Sequence, residues 1–201
     1  MRVVLDFDGC IVNTIKRIVD MYNEDFNDNV DWHTVKSWGF TECTKLDGDT
    51  LNSYFAEQRF FNKELEFMPY AKDSIQKIAE KYGIIVCSMG SQDNLKYKKQ
   101  WLQNKLGVKH EFIGVLESEH CDKSHINMEH CALVEDSARN LETSNAKIKI
   151  CYGEVFPWNE SFGGNRDYQW HDFVNGRHSV KNWLDVCSVL EECYSKKGRV
   201  I

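Results

Sequence analysis

The chain has 201 residues, 42% of them hydrophobic, with 31 acidic against 25 basic side chains and a formal net charge of −6. That composition excludes a disordered or collagen-like chain. The acidic balance argues against a general nucleic-acid surface, and no apolar run approaches the roughly 18 residues of a membrane span.

Met1 leads directly into Val3-Val4-Leu5 with no basic, apolar leader, and none of the eight cysteines stands in a C-x-x-C. Both features point to reduced thiols and a cytoplasmic location. Val3-Val4-Leu5 reads as the first buried strand. Further strands are expected at Ile84–Cys87, Phe112–Leu116, Ala132–Val134 and Ile148–Cys151, each a short apolar run. Helical spacing links Ile15, Ile18, Val19, Tyr22 and Phe26, and again Ala71, Ile75, Ile78, Ala79 and Tyr82 before Gly83. Leu95, Leu102 and Leu106 share a face before Gly107. A last helix is expected from about Val180, with Trp183, Leu184, Cys187 and Leu190 on one side. Alternating strands and helices predict an α/β fold, a Rossmann-like doubly wound parallel sheet covered on both faces.

One connection is anomalous. Thr14 to Pro69 is a stretch of roughly fifty-five residues, where a crossover needs about a dozen. It is rich in aromatic residues, including Trp38, Phe40, Phe55, Phe60 and Phe61. A small helical cap is therefore expected at 15–69, inserted after the first strand, with a core domain formed by 1–14 and 70–201. Residues 153–177, with Pro157, Gly163-Gly164 and Gly176, read as an irregular loop.

The chemistry gathers at strand ends. Leu5-Asp6-Phe7-Asp8-Gly9 closes the first strand with two carboxylates. Cys87-Ser88-Met89-Gly90-Ser91 closes the second with hydroxyls and backbone N–H groups suited to an anion, and Glu135-Asp136-Ser137 closes the fourth. Open parallel sheets bind ligands beyond these carboxyl ends. Two like charges at 4 Å repel by about 4 kcal/mol at an effective dielectric of about 20, so four convergent acids call for a cation. Oxygen ligands with open positions suit Mg2+, and Lys98 or Lys123 could balance the remaining charge.

In this order, Asp6-Phe7-Asp8-Gly9 through Thr14, then Ser88, a lysine and Glu135-Asp136 resemble the haloacid dehalogenase-like (HAD-like) phosphohydrolases. Phe60 to Pro69, Lys98 to Trp101 with Gly107 following, and the closing Trp183 helix resemble the 5'(3')-deoxyribonucleotidases, which carry a helical cap between the first two motifs. The resemblance implies a phosphoric monoester hydrolase whose partner is a small-molecule nucleoside monophosphate. Asp6 would be the nucleophile that forms an aspartyl phosphate, and Asp8 the general acid and base. Asp6, the carbonyl of Asp8 and Asp136, assisted by Glu135, would hold Mg2+. Ser88 and Met89 would bind phosphate. Lys123, in Cys121-Asp122-Lys123-Ser124, is the first choice for the catalytic lysine and Lys98 the second. Phe40, Phe55, Phe61 and Trp38 would meet the base, and a second copy of the chain is a candidate partner.

Two other readings compete. Glu135-Asp136-Ser137, where nucleotidases usually carry Asp-Asp and often a following arginine, also occurs in sugar-phosphate phosphatases and phosphomutases of the superfamily. The crowding of His120, Cys121, His125, His130 and Cys131 offers zinc ligand types, although at no standard spacing.

Overall fold

The computed structural model describes residues 2–62, 64–154, 156–162 and 170–197. Lys63, within the nucleotidase-like stretch, and Gly163-Gly164, within the expected loop, lie outside the described residues. Seven strands form one sheet: β1 (Arg2–Leu5), β2 (Ile84–Gly90), β3 (Glu111–Leu116), β4 (Cys131–Glu135), β5 (Ile148–Tyr152), β6 (Trp170–Asp172) and β7 (Arg177–Val180). Their order is β3-β2-β1-β4-β5-β7-β6. Every neighbouring pair is parallel except β6 with β7. The chain winds outward from β1 through β2 to β3, then returns to β4 on the other side of β1. The topological switch point therefore lies between β1 and β4, where such sheets open a crevice.

The two-residue period of the strands divides the core into two layers. Val3, Leu5, Val86, Val134 and Ile150 join one apolar cluster, while Val4, Ile85, Cys87, Leu133 and Cys151 join the other. The first layer is covered by α1 (Thr14–Phe26), α3 (Ala71–Tyr82), α4 (Gln92–Lys105) and α6 (Trp183–Lys197), and the second by α5 (Ala138–Thr143). Helix starts follow local capping chemistry: the side chains of Asn13, Ser91 and Ser137 each accept a backbone N–H from the first turn that follows. Among the described residues no helix is long and apolar enough to cross a membrane, and all eight cysteines are free thiols.

Two expectations need correction. β3 is an edge strand and largely exposed or half-buried rather than buried. The expected loop before the last helix contains the β6–β7 hairpin, and α6 starts at Trp183 because Val180 still pairs with Tyr152. Asn182 then caps the helix, its side-chain oxygen accepting the N–H groups of Leu184 and Asp185. β7 carries buried His178 and Ser179 instead of an apolar run, so it lacks the pattern that marks the other strands.

Residues 15–69 leave and rejoin the sheet through a hydrogen-bonded stem. Val12 bridges Phe67, Asn13 N–H donates to the Glu66 carbonyl at 3.0 Å, and Met68 N–H donates to Ile11 at 2.8 Å. Beyond α1 the stretch contains α2 (Gly48–Ala56) and two 3₁₀ turns, Trp32–Thr34 and Gln58–Phe61. Buried Arg17 ties the second turn down, its guanidinium donating to the Phe60 and Arg59 carbonyls. Tyr22, Phe40, Tyr54 and Phe60 are buried and continue the apolar cluster that contains Val3, Leu5 and Phe7. The aromatic excess thus packs onto the sheet layer below.

Trp183 locks the other end of that layer. It is fully buried, and its indole N–H donates to the Cys10 carbonyl at 2.9 Å. Trp183→Phe removes this bond and part of the ring. It should lower unfolding stability by about 1–3 kcal/mol, read as an earlier guanidinium midpoint; an unchanged midpoint contradicts the assignment.

Candidate active site

The switch point is built from backbone first. Asp6 extends β1 by one ladder bond, its N–H donating to the Val134 carbonyl at 2.9 Å. The chain then turns sharply: Ile11 N–H returns to the Phe7 carbonyl and Gly9 N–H to Val12. Gly9 has φ +67°, and a Cβ there would stand 2.6 Å from Asp136 Oδ2. Glycine is required both for the left-handed turn and for the close approach of the loops following β1 and β4.

The turn separates the two aspartates. Lys123 Nζ donates to Asp6 Oδ1 and to Glu135 Oε2, each at 2.5 Å. Lys98 Nζ pairs with Asp8 and donates to Ser88 Oγ at 3.0 Å and to the Met89 carbonyl at 2.9 Å. Thr14 Oγ1 donates to the other Asp8 oxygen at 2.9 Å. Both lysines are only 1% exposed, so each is a buried cation. The choice between them is replaced by a division: one cation serves Asp6 and Glu135, the other serves Asp8.

The electrostatics follow from burial. Desolvation, then the neighbouring Glu135 carboxylate, push Asp6 up to about 7 against the opposing pull of Lys123. Burial and the charges of Glu135 and Asp6 raise Asp136 well above the usual carboxylate range. Burial alone would lower Lys123, but Asp6 and Glu135 hold its ammonium well above its ordinary value. An acidic pocket whose carboxylates resist ionisation has room electrostatically for a cation.

Asp6, Cys10 and Asp136 bring ligand atoms within 4.8 Å of one another. The two carboxylates are hard oxygen donors of the kind Mg2+ takes, so these residues fit that ion. Glu135 lies outside this group, and both its oxygens are occupied: Oε2 by Lys123 and Oε1 by the Ser137 N–H at 3.2 Å. In this structure Glu135 is a partner of Lys123.

Above the acids opens a cavity of about 810 Å3. Asp6, Asp8, Lys98, Lys123, Glu135 and Asp136 line its floor, with Met89 to Ser91 beside them. Trp38 and Phe55 also line the cavity and form an aromatic wall, their rings stacked 6.1 Å apart. Phe40 and Phe61 do not line it. Phe40 is buried with its ring 6.1 Å from Trp38, supporting that ring from behind. Phe61 packs against Phe7, Phe60 and Tyr97. Ser88 is fully buried and its hydroxyl accepts from Lys98, so the cavity lining passes to its neighbours.

Sequence reasoning missed Trp158, which lines the cavity, donates its indole N–H to Asp136 Oδ2 at 3.1 Å and meets Trp38 edge-on at 5.4 Å. It also missed Asn94, whose amide donates to the Phe55 carbonyl at 2.6 Å and so ties α4 to α2. The zinc reading gains no support. His120 and His125 stack face to face at 3.6 Å, Cys131 is buried in the second apolar cluster, and among the described residues they form no three-ligand group.

Similar architectures are widespread among solved structures. A HAD family hydrolase from Deinococcus radiodurans R1 with bound phosphate and sodium superposes with TM-score 0.54 at 13% identity, covering 96% of each chain. A haloacid dehalogenase-like family hydrolase from Streptococcus pneumoniae gives TM-score 0.56 at 12% identity, covering 94% of this chain and 97% of that one. A HAD-hydrolase from Bacillus subtilis bound to magnesium gives 0.53 at 13%, covering 94% and 99%. At such identities these likenesses show the fold. None of the curated proteins matches the chain by sequence. The model of one family, "5' nucleotidase, deoxy (Pyrimidine), cytosolic type C protein", matches residues 1–184. With a HAD-type sheet, its acids at the switch point and a family match over most of its length, the chain belongs to this 5'-nucleotidase family of phosphoric monoester hydrolases.

Proposed function

We propose that the chain is a Mg2+-dependent phosphatase of nucleoside or deoxynucleoside monophosphates that works through an aspartyl phosphate on Asp6. The observation that carries this reading is the placement of Asp6, held by Lys123 beside Asp136, on the floor of a cavity walled by Trp38 and Phe55. The cavity volume suits a small-molecule ligand, for which about 300–1,000 Å3 is usual. Residues 15–69 act as the cap that supplies the aromatic wall, over a core of 1–14 and 70–201.

Asp6, the backbone carbonyl of Asp8 and Asp136 would hold the metal. When bound, Mg2+ supplies positive charge against the repulsion between a phosphate dianion and these acids. A carboxylate oxygen of Asp6 attacks phosphorus and forms an O–P bond while the bond from phosphorus to the nucleoside oxygen breaks. Asp8 gives its proton to that departing oxygen. Asp8 then takes a proton from water, the water oxygen attacks phosphorus, and the Asp6–phosphate bond breaks to release inorganic phosphate.

In the free protein Lys98 pairs with Asp8 and donates to Ser88 and the Met89 carbonyl. An arriving phosphate dianion competes for the same ammonium. Met89, Gly90 and Ser91 line the cavity and would meet phosphate oxygens. A sugar-phosphate substrate is disfavoured because the cavity is lined by the stacked rings of Trp38 and Phe55, which suit the face of a base.

Three measurements test this reading. Asp6→Asn should reduce turnover more than a hundredfold with the circular dichroism spectrum unchanged, since it removes one of three crowded carboxylates; retention of more than about a hundredth of the activity excludes covalent catalysis by Asp6. In a phosphate-release panel, nucleoside monophosphates should exceed sugar phosphates in kcat/KM, and a preference for sugar phosphates of about tenfold or more would end the nucleotidase reading. Lys123→Met should destabilise the metal-free protein by about 3–5 kcal/mol, because it strands two buried carboxylates. Lys98→Met, which strands the partly exposed Asp8, should cost distinctly less, both variants being read by urea titration.

A further inference from the structure

We infer that Trp158 is a positioning residue that ties the aromatic wall of the cavity to the orientation of Asp136. The inference rests on the proposed reading for the role of Asp136 and stands on separate contacts of its own.

Trp158 grips the loop after β4 twice. Its indole N–H donates to Asp136 Oδ2 at 3.1 Å, and its backbone carbonyl accepts the Ala138 N–H at 3.1 Å. Among the described residues the indole is the one side-chain hydrogen-bond donor to Asp136, since both lysines are spent on Asp6, Glu135 and Asp8. The indole thus occupies one oxygen of a carboxylate that burial, Glu135 and Asp6 all press toward neutrality. A neutral donor fixes the orientation of that carboxylate without adding the charge that a third lysine would bring.

The ring itself is held rigidly. It stacks on Phe156 at 4.3 Å with the planes 4° apart. Fully buried Asn159 pins the loop from inside, accepting the Phe156 N–H at 2.9 Å and donating to the Glu154 carbonyl at 3.0 Å. Phe162 anchors the loop in the second apolar cluster. On its open side the indole meets Trp38 edge-on at 5.4 Å, and Trp38 is stacked on Phe55. A contiguous chain of contacts therefore runs along the cavity lining from Phe55 and Trp38 through Trp158 to Asp136. A flat ring bound against Trp38 presses on the residue that orients the acid, so the substrates served best are phosphomonoesters that carry an aromatic base.

Two substitutions separate the two contacts. Trp158→Phe keeps a ring and loses the N–H. Calorimetric titration with Mn2+ alone should show affinity weakened about tenfold, in the range usual for partners that orient metal ligands. In the same variant kcat should fall on every phosphomonoester, with KM for a nucleoside monophosphate within about twofold of the parent. Trp158→Leu loses both contacts and should additionally raise KM for the nucleotide while leaving KM for β-glycerophosphate, which has no ring, unchanged. Trp158→His, which retains a ring N–H, should recover part of the Mn2+ affinity. Parental Mn2+ affinity in folded Trp158→Phe overturns the inference, as does an equal rise in KM for both substrates in Trp158→Leu. Should the parent protein prefer β-glycerophosphate over nucleotides, the proposed substrate class fails, and the Mn2+ titration still decides whether the indole orients Asp136.

Discussion

Two buried carboxylates and a half-buried one, crowded at one switch point, are the constraint to which the rest of the molecule answers. Asp6, Glu135 and Asp136 stand where β1 and β4 end side by side, and burial strengthens their mutual repulsion. An apolar protein interior would reject such a group unless positive charge came with it. Lys123 meets that need for Asp6 and Glu135, and Lys98 does the same for Asp8. Neither lysine is a local neighbour of its acid in the chain, so the ion pairs exist only once the sheet is assembled. The charges that threaten the fold are the same ones that report its completion.

The remaining architecture keeps these groups in register. Gly9 lets the loop after β1 approach Asp136 more closely than any side chain would permit. Trp183 fixes the carbonyl of Cys10 immediately after that turn, so α6, the last helix of the chain, braces the first catalytic loop on the proposed reading. The hydrogen-bonded stem of residues 11–13 with 66–68 brings residues 15–69 back over the same edge. Asn94 then joins α4 to the backbone of Phe55, which sets one aromatic wall at a defined height above the acids.

How much of this was legible follows from the physics of each signal. Strands β1, β2, β4 and β5 were readable because they are buried on both faces and leave apolar runs. β7 was not, because its buried positions carry His178 and Ser179 rather than an apolar run. Asp6, Asp8 and Asp136 were readable as acids at strand ends. Which lysine serves which acid was not, since a buried lysine and a solvated one have the same letter, and both are present. Trp38, Phe40, Phe55 and Phe61 were equally good ring candidates in the chain. Only the packing shows that two line the cavity, that Phe40 backs Trp38 and that Phe61 packs against Phe7, Phe60 and Tyr97 instead. Trp158 lay in a stretch without periodicity. Its one available signal was position: the loop after β5 sits at the same carboxyl edge as the acids, where an aromatic residue is a candidate for the ligand.

The ion pairs that stabilise the resting site also set what substrate binding must overcome. Lys98 satisfies Asp8, Ser88 and the Met89 carbonyl at once, so its ammonium has no donor to spare for a phosphate oxygen until one of these is released. On the proposed reading the exchange is favourable only for a ligand that brings at least as much negative charge as the contact it displaces, which a phosphate dianion does and a neutral alcohol or nucleoside does not. The product nucleoside consequently leaves a site whose lysines return to their carboxylates. Discrimination between ester and product thus arises from the competition for a buried cation, while the aromatic wall, which holds the base in both, selects the class of molecule that enters.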